Sequence, residues 1–329
     1  MMSQSPDIQA TLTDIYNAVS KDTPSGTPYS EELLHKGDRD RFALAIATRD
    51  GQVFTAGDSD KMFALQSMSK AFTYGLALED HGRDGVLKRI GVEPTGRRYN
   101  AILLDETGRP YNPMVNAGAI AVADLVKGNN LTERLNRIVH MLSAYVGRHL
   151  QLDAEVFTYE LQIDNRNRAI AHLMRSSGML HGSIDEALHL YYQHCSLLIT
   201  TRELALMAAT LANGGSHPIT GEQALKRSYV RDVLSVMYTC GMYDSSGEWA
   251  YKVGLPAKSG VSGGIFAVVP GVMGIAAFSP LLNGNGHSVR GVRAFELLSE
   301  QLNLHTFDLD TPTSPGGDAP TAAERPAPM

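Results

Sequence analysis

The sequence predicts an α+β fold, an antiparallel sheet flanked by helices with an all-helical domain inserted in it. Three observations carry this. Near the start, Arg49-Asp50-Gly51 lies between the apolar runs FALAIA (42–47) and QVFTA (52–56), a strong hairpin signal. Near the end, IFAVV (265–269) and VMGIAAF (272–278) are joined by Pro270-Gly271, a second turn between strand-like runs. Between them, from Arg83 to about Arg231, the spacing is mostly helical. β material at both ends and helices in the middle imply one discontinuous α+β domain (1–82 and 232–310) around a helical domain (83–231). The cleft is then expected at their junction.

Each element has its own signal. Residues 8–19 have helical spacing, and a Pro- and Gly-containing loop comes next over 23–28. After the first hairpin, residues 67–79 read as a helix, with Gly82 as its stop. Amphipathic helices are predicted over Leu131–Val146 and Thr201–Ala212, the second closed by Asn213-Gly214-Gly215. Residues 249–253 read as a strand before the second hairpin, and 292–302 as a closing helix. The tail, 311–329, is rich in Pro, Gly, Ala and Thr and is expected to be disordered. There is no internal repeat.

Composition narrows the function. With 43% apolar and 19% charged residues, the 329-residue chain is a soluble globular protein with a sizeable core. Its net charge of -6, without clustered basic residues, argues against a nucleic-acid partner. Two cysteines, Cys195 and Cys240, build no disulfide framework and suit a reducing compartment. The first residues, MMSQSPDIQA, lack the basic and apolar regions of a signal peptide, so a cytoplasmic location is expected. The uncharged run at 263–282 has the length of a membrane span. Its Pro-Gly interruption makes it a buried hairpin instead, so no membrane association is expected.

Chemistry enters at Gln66-Ser67-Met68-Ser69-Lys70. On a helix, residues three apart share a face, so Ser67 and Lys70 can share a proton. Serine is a weak nucleophile until a base takes that proton, and a desolvated lysine can be the base. Alone, Ser-x-x-Lys occurs on many surface helices. Here Lys258-Ser259-Gly260 appears later in the chain, and the pairing is the logic of serine-lysine acyl transfer. An ordinary lysine is charged at neutral pH. Bringing Lys70 to roughly 7–8 takes about 3 pKa units, on the order of 4 kcal/mol, from burial and a nearby positive charge. Lys258 is the expected source of that charge. Gly260-Val261-Ser262-Gly263-Gly264 also spells Gly-x-Ser-x-Gly, a motif that needs a helix after it. The next residues, Ile265-Phe266-Ala267-Val268-Val269, read as a strand, so Ser262 is taken as a decoy.

These segments resemble the serine-dependent bacterial glutaminases, relatives of penicillin-recognising enzymes and class A β-lactamases. The match runs through GDSDKMFALQSMSK (57–70), GVEPTGRRYN (91–100), NPMVNAGAI (112–120), 160–167, YYQHCS (191–196), AATLANGG (208–215), CGMYD (240–244) and GLPAKSGVSGGI (254–265). The resemblance implies a β-lactamase/transpeptidase-like fold. It implies hydrolysis of L-glutamine to L-glutamate and ammonia, without metal or organic cofactor, in a homodimer or homotetramer.

By the same resemblance, Ser67 is the nucleophile and Lys70 the general base, supported by Lys258. Backbone N–H groups of Ser67 and Val261 form the oxyanion hole, with Gly260 letting the strand approach closely. Glu160 takes the substrate's α-ammonium, and Asn116, Asn167 and Tyr191 complete a polar cage. Tyr243 binds substrate and relays a proton. Tyr29 matches a further active-site tyrosine, in a looser stretch where Tyr-Ser-Glu replaces the family's Tyr-Ile-Pro. Tyr159 and His287 stand where the family usually has serine and often asparagine. Two alternatives remain at this point: a β-lactamase or penicillin-binding hydrolase, and a non-catalytic amino-acid sensor. The first lacks a Ser-Asp-Asn element, and the complete Ser67–Lys70–Lys258 set weighs against the second.

Overall fold

The computed structural model describes residues 7–22, 25–34, 38–98 and 100–308; the 311–329 tail lies outside them. The elements run α1 (Ile8–Ser20), β1 (Ala43–Thr48), β2 (Val53–Gly57), β3 (Phe63–Ala64), a 3₁₀ turn (Gln66–Met68) and α2 (Ser69–Leu87). Then come α3 (Asn116–Leu125), α4 (Leu131–Val146), α5 (Ala154–Gln162), α6 (Asn165–Ser176), α7 (Ile184–Cys195), β4 (Leu198–Ile199), α8 (Thr201–Ala212) and α9 (Arg227–Cys240). A second 3₁₀ turn (Tyr243–Ser245) leads to α10 (Ser246–Lys252), β5 (Ala257–Ser259), β6 (Gly264–Val269), β7 (Met273–Phe278) and α11 (Val289–Gln301).

The two ends of the chain build one sheet, in the order β2-β1-β7-β6-β5, with antiparallel neighbours throughout. N-terminal β1 pairs with C-terminal β7, from Ala43 opposite Phe278 to Thr48 opposite Met273. Side chains alternate between the faces of a strand. Leu44 and Ile46 therefore join Leu12 and Ile15 of α1 and Phe295 and Leu298 of α11 in one core. Ala45 and Ala47 face the other way, into the core shared with α8 and the remaining helices. Gly274 makes that contact possible: a Cβ there would fall 2.2 Å from the Ala209 backbone nitrogen. Thus α8 packs on the sheet, although it falls within the 83–231 stretch.

Three local expectations change. Trp249 lies in helix α10, where an i,i+4 pair between Lys252 and Glu248 (2.7 Å) supports the turn. Its indole is buried, donates to the Leu255 carbonyl (2.9 Å) and packs on Phe295. The strand comes later, at β5. Ser67 sits in the 3₁₀ turn, and α2 begins at Ser69. Gly82 is non-helical (φ 68°, ψ 171°) and breaks the run at the expected stop, with a further helical stretch after it to Leu87. Finally, among the described residues of 88–115 there is no helix or strand. The apolar run at 263–282 forms β6 and β7, and no helix among the described residues is long and apolar enough to cross a membrane.

Candidate active site

The site forms where the first 3₁₀ turn meets α3, α5, α6, α7 and β5. Gln66 (φ 49°) and Tyr243 (φ 54°) both hold left-handed backbone, which non-glycine residues rarely adopt. Such conformations persist only where surrounding structure enforces them, and they gather at functional sites. The turn places Ser67 just ahead of α2, nearly buried, with Lys70 one turn on and fully buried.

Lys70 Nζ lies 2.7 Å from Ser67 Oγ and 2.8 Å from Asn116 Oδ1. Asn116, first residue of α3, donates from Nδ2 to Asn167 Oδ1 (3.0 Å). Asn167 donates onward to the Tyr192 hydroxyl (3.1 Å), and the Tyr191 hydroxyl donates to Asn116 Oδ1 (3.2 Å). The structure thus brings Ser67, Lys70, Asn116, Asn167 and Tyr191 into one network.

Glu160, buried on α5, accepts from Gln66 Nε2 at 2.9 Å and hydrogen-bonds with Tyr29. The Tyr29 ring meets Tyr159 edge-to-face, with centroids 6.2 Å apart. Tyr159, the departure from the expected serine, therefore supplies the wall that seats Tyr29. Across the site, Lys258 Nζ donates to the Tyr243 hydroxyl (2.8 Å) and to the Ser259 carbonyl (2.7 Å). Val261 lies in the turn between β5 and β6. It lines a cleft of about 150 Å³ with Tyr29, Gln66 and Ser262. A Cβ on Gly260 would come within 3.3 Å of Met68 and 3.4 Å of the Leu65 carbonyl. That glycine lets the end of β5 lie close to the turn that carries Ser67.

Burial sets the electrostatics. It lowers Lys70 to about 8, against the opposing pull of Cys195 and Glu160. Lys258 is held well below the ordinary lysine value, first by burial and then by Lys70. Desolvation is thus the first cause of the shift at both lysines. Glu160 is raised by burial, with Gln66, Tyr29 and Lys70 pulling back. The Cys195 and Cys240 thiols are pushed up by burial to about 12 and 11, so neither is a ready thiolate. Ser262 lies between two antiparallel strands, without the strand-to-helix turn that a nucleophile elbow needs.

The sequence left Gln66 and Tyr192 without roles. Gln66 stood inside the quoted motif, but its backbone conformation and its Glu160 contact have no local signal.

The glutaminase family model matches residues 28–307. The chain belongs to the glutaminase family. A glutaminase of Nostoc sp. is 59% identical over 276 residues, covering 84% of this chain and 83% of that one. The solved structure of a probable glutaminase, ybaS, superposes with a TM-score of 0.87 at 43% identity, covering 92% of this chain and all of that one. A structure of Mglu in its glutamate form gives a TM-score of 0.87 at 42% identity, covering 92% of this chain and 71% of that one. This family member accordingly has the β-lactamase/transpeptidase-like α+β fold. Family membership sets aside the β-lactamase reading.

Proposed function

We propose that this enzyme hydrolyses the side-chain amide of L-glutamine, giving L-glutamate and ammonia through an acyl-enzyme on Ser67. One observation carries the reading: Lys70 Nζ lies 2.7 Å from Ser67 Oγ in a buried polar network. Uncharged Lys70 accepts the serine proton while Ser67 Oγ attacks the amide carbon. The C–O bond forms, and the carbonyl π electrons move onto oxygen. The N–H groups of Ser67 and Val261 receive that charge. The C–N bond then breaks, and ammonia leaves with the proton that Lys70 took from Ser67, passed through Tyr243. Water attacks the resulting ester: its oxygen joins the acyl carbon, the bond to Ser67 Oγ breaks to release glutamate, and a proton of the water restores the Ser67 hydroxyl.

Glu160 takes the α-ammonium, and Asn116, Asn167 and Tyr191 hold the remaining polar ends. A relative solved in its glutamate form supports a site of this shape. Assembly as a homodimer or homotetramer in the cytoplasm belongs to the same reading, supported by the family resemblance and by two free, buried cysteines.

Ammonia release from L-glutamine, measured for wild type, Ser67→Ala and Lys70→Ala, tests this. The wild type is expected to release ammonia and both variants to be inactive. No release by the wild type, or full activity in Ser67→Ala, overturns the proposal.

A further inference from the structure

Ser69 has no part in the Ser67 chemistry, yet it is fully buried beside the nucleophile. Its hydroxyl donates to the Gln66 carbonyl at 2.7 Å, and its backbone N–H donates to the same oxygen. Gln66 is the left-handed residue immediately before Ser67. A carbonyl only accepts, so the single hydroxyl proton of Ser69 is committed there. His194 Nδ1 stands 2.8 Å from Ser69 Oγ. With that proton committed, Nδ1 must be the donor, which leaves Nε2 as the bare ring nitrogen. Nε2 is buried and has no hydrogen-bond partner among the described residues, as an unprotonated nitrogen in an apolar wall can be. The ring is accordingly neutral, in keeping with a pKa lowered to about 3 by burial and by Lys70.

His194 is in the last turn of α7, and its ring meets that of Tyr191 edge-to-face at 5.5 Å. The chain of contacts therefore runs from α7 through Ser69 to the backbone that aims Ser67. We infer that Ser69 and His194 are a buried positioning pair, holding Gln66 left-handed and so fixing Ser67 against Lys70. Neither side chain hydrogen-bonds Ser67 Oγ or Lys70 Nζ, so the pair is read as acting through Gln66. This rests on Ser67 being the nucleophile.

The test compares steady-state kinetics, near-ultraviolet circular dichroism and melting for Ser69→Ala, His194→Ala, the double Ala variant, His194→Asn and Ser67→Ala. Misplacing a nucleophile slightly costs up to about 100-fold in rate, so Ser69→Ala is expected to lower kcat about 10- to 100-fold. KM should stay within about threefold, since the binding groups remain. His194→Ala should behave the same way. His194→Asn should recover most of the rate, because its amide Nδ2–H stands at the position of the ring Nδ1 and can donate to Ser69 Oγ. The double Ala variant should be little worse than Ser69→Ala, because both act through one contact. A kcat for Ser69→Ala within about twofold of wild type overturns the inference. So does an asparagine variant no better than the alanine variant, and that comparison decides if Ser69→Ala does not fold. An active Ser67→Ala would instead overturn the nucleophile assignment. An inactive Ser67→Ala beside a fully active Ser69→Ala removes only the positioning pair.

Discussion

Lys258 Nζ donates to the Tyr243 hydroxyl oxygen at 2.8 Å and lies 4.0 Å from the centre of its ring. The second lysine of the site is thus a partner of the tyrosine. His287 stacks on the same ring, with centroids 5.8 Å apart, and its Nδ1 is 2.9 Å from Ser259 Oγ. Tyr243 is therefore clamped, with Lys258 occupying a lone pair of its oxygen. Its own proton has a distant acceptor in the Ser259 carbonyl, at 3.5 Å. That arrangement suits a group that passes a proton to departing ammonia.

Tyr243→Phe keeps the ring and its stacking but removes the hydroxyl. General acid–base groups contribute about 10²- to 10⁴-fold, so kcat should fall by that order. The melting temperature should also fall, because buried Lys258 loses an acceptor at 2.8 Å, so kcat is measured where the variant is fully folded. Ammonia-release kinetics check this, and a kcat within tenfold of wild type, below the bottom of that range, would refute the proton relay.

On the proposed mechanism the pH dependence originates in Lys70. A base must be unprotonated, and burial brings Lys70 to about 8. Activity should rise with pH through that value. Stability should show the same group with a definite sign. Below about 8 the lysine is charged in both states, and the folded state bears the full desolvation cost. Between about 8 and the ordinary value near 10.4, the unfolded chain binds more protons, so the cost is relieved as pH rises. Lys70→Met should therefore be most favourable to stability, relative to wild type, near neutral pH. Its advantage should shrink by on the order of 3 kcal/mol towards pH 10.5. Melting curves of both proteins across that range decide it; a difference independent of pH would contradict the lowered value.

Much of this was legible in the sequence for definite reasons. The sheet announced itself through two turns, at Asp50-Gly51 and Pro270-Gly271, because such turns constrain the strands that they join. Helices α4 and α8 carry an amphipathic period and side-chain N-caps at Asn130 and Thr200. Trp249 misled because five residues of mixed polarity fit a strand or one helical turn equally, and only packing on Phe295 decides. At the site, Ser67 and Lys70 were readable because one helical turn joins them. The Lys258–Tyr243 and Ser69–His194 contacts were not, because they join distant stretches through the tertiary fold. Burial was an expected source of the Lys70 shift, but its weight beside the charge of Lys258 was not legible, since desolvation depends on what covers a residue.

Glu160 is the one carboxylate proposed to meet the substrate's ammonium. Gln66 and Tyr29 hold it in a buried position. Glu160→Gln keeps the shape and removes the charge. A hydrogen bond to a charged group is worth about 1.5–3 kcal/mol, so KM should rise about 10- to 100-fold. The loss in kcat should be smaller, because Ser67 and Lys70 stay paired. An unchanged KM for L-glutamine would remove Glu160 from the ammonium site.

Gly263 closes the turn that presents Val261. Its φ is +104°, and a Cβ there would lie 2.3 Å from the Ser279 carbonyl oxygen and 2.7 Å from Pro280 Cα. Both are backbone atoms and cannot swing aside, so alanine must displace the turn. Strain of this kind costs about 1–3 kcal/mol, which should appear as a lowered melting temperature. Because the turn sets the Val261 N–H proposed as an oxyanion donor, activity should fall further than stability alone explains. Loss of one such donor costs about 10²- to 10³-fold in kcat. Assays of Gly263→Ala at a temperature where it is fully folded separate the two effects. Normal kcat in the folded variant would show that the Val261 N–H need not be held where this turn puts it.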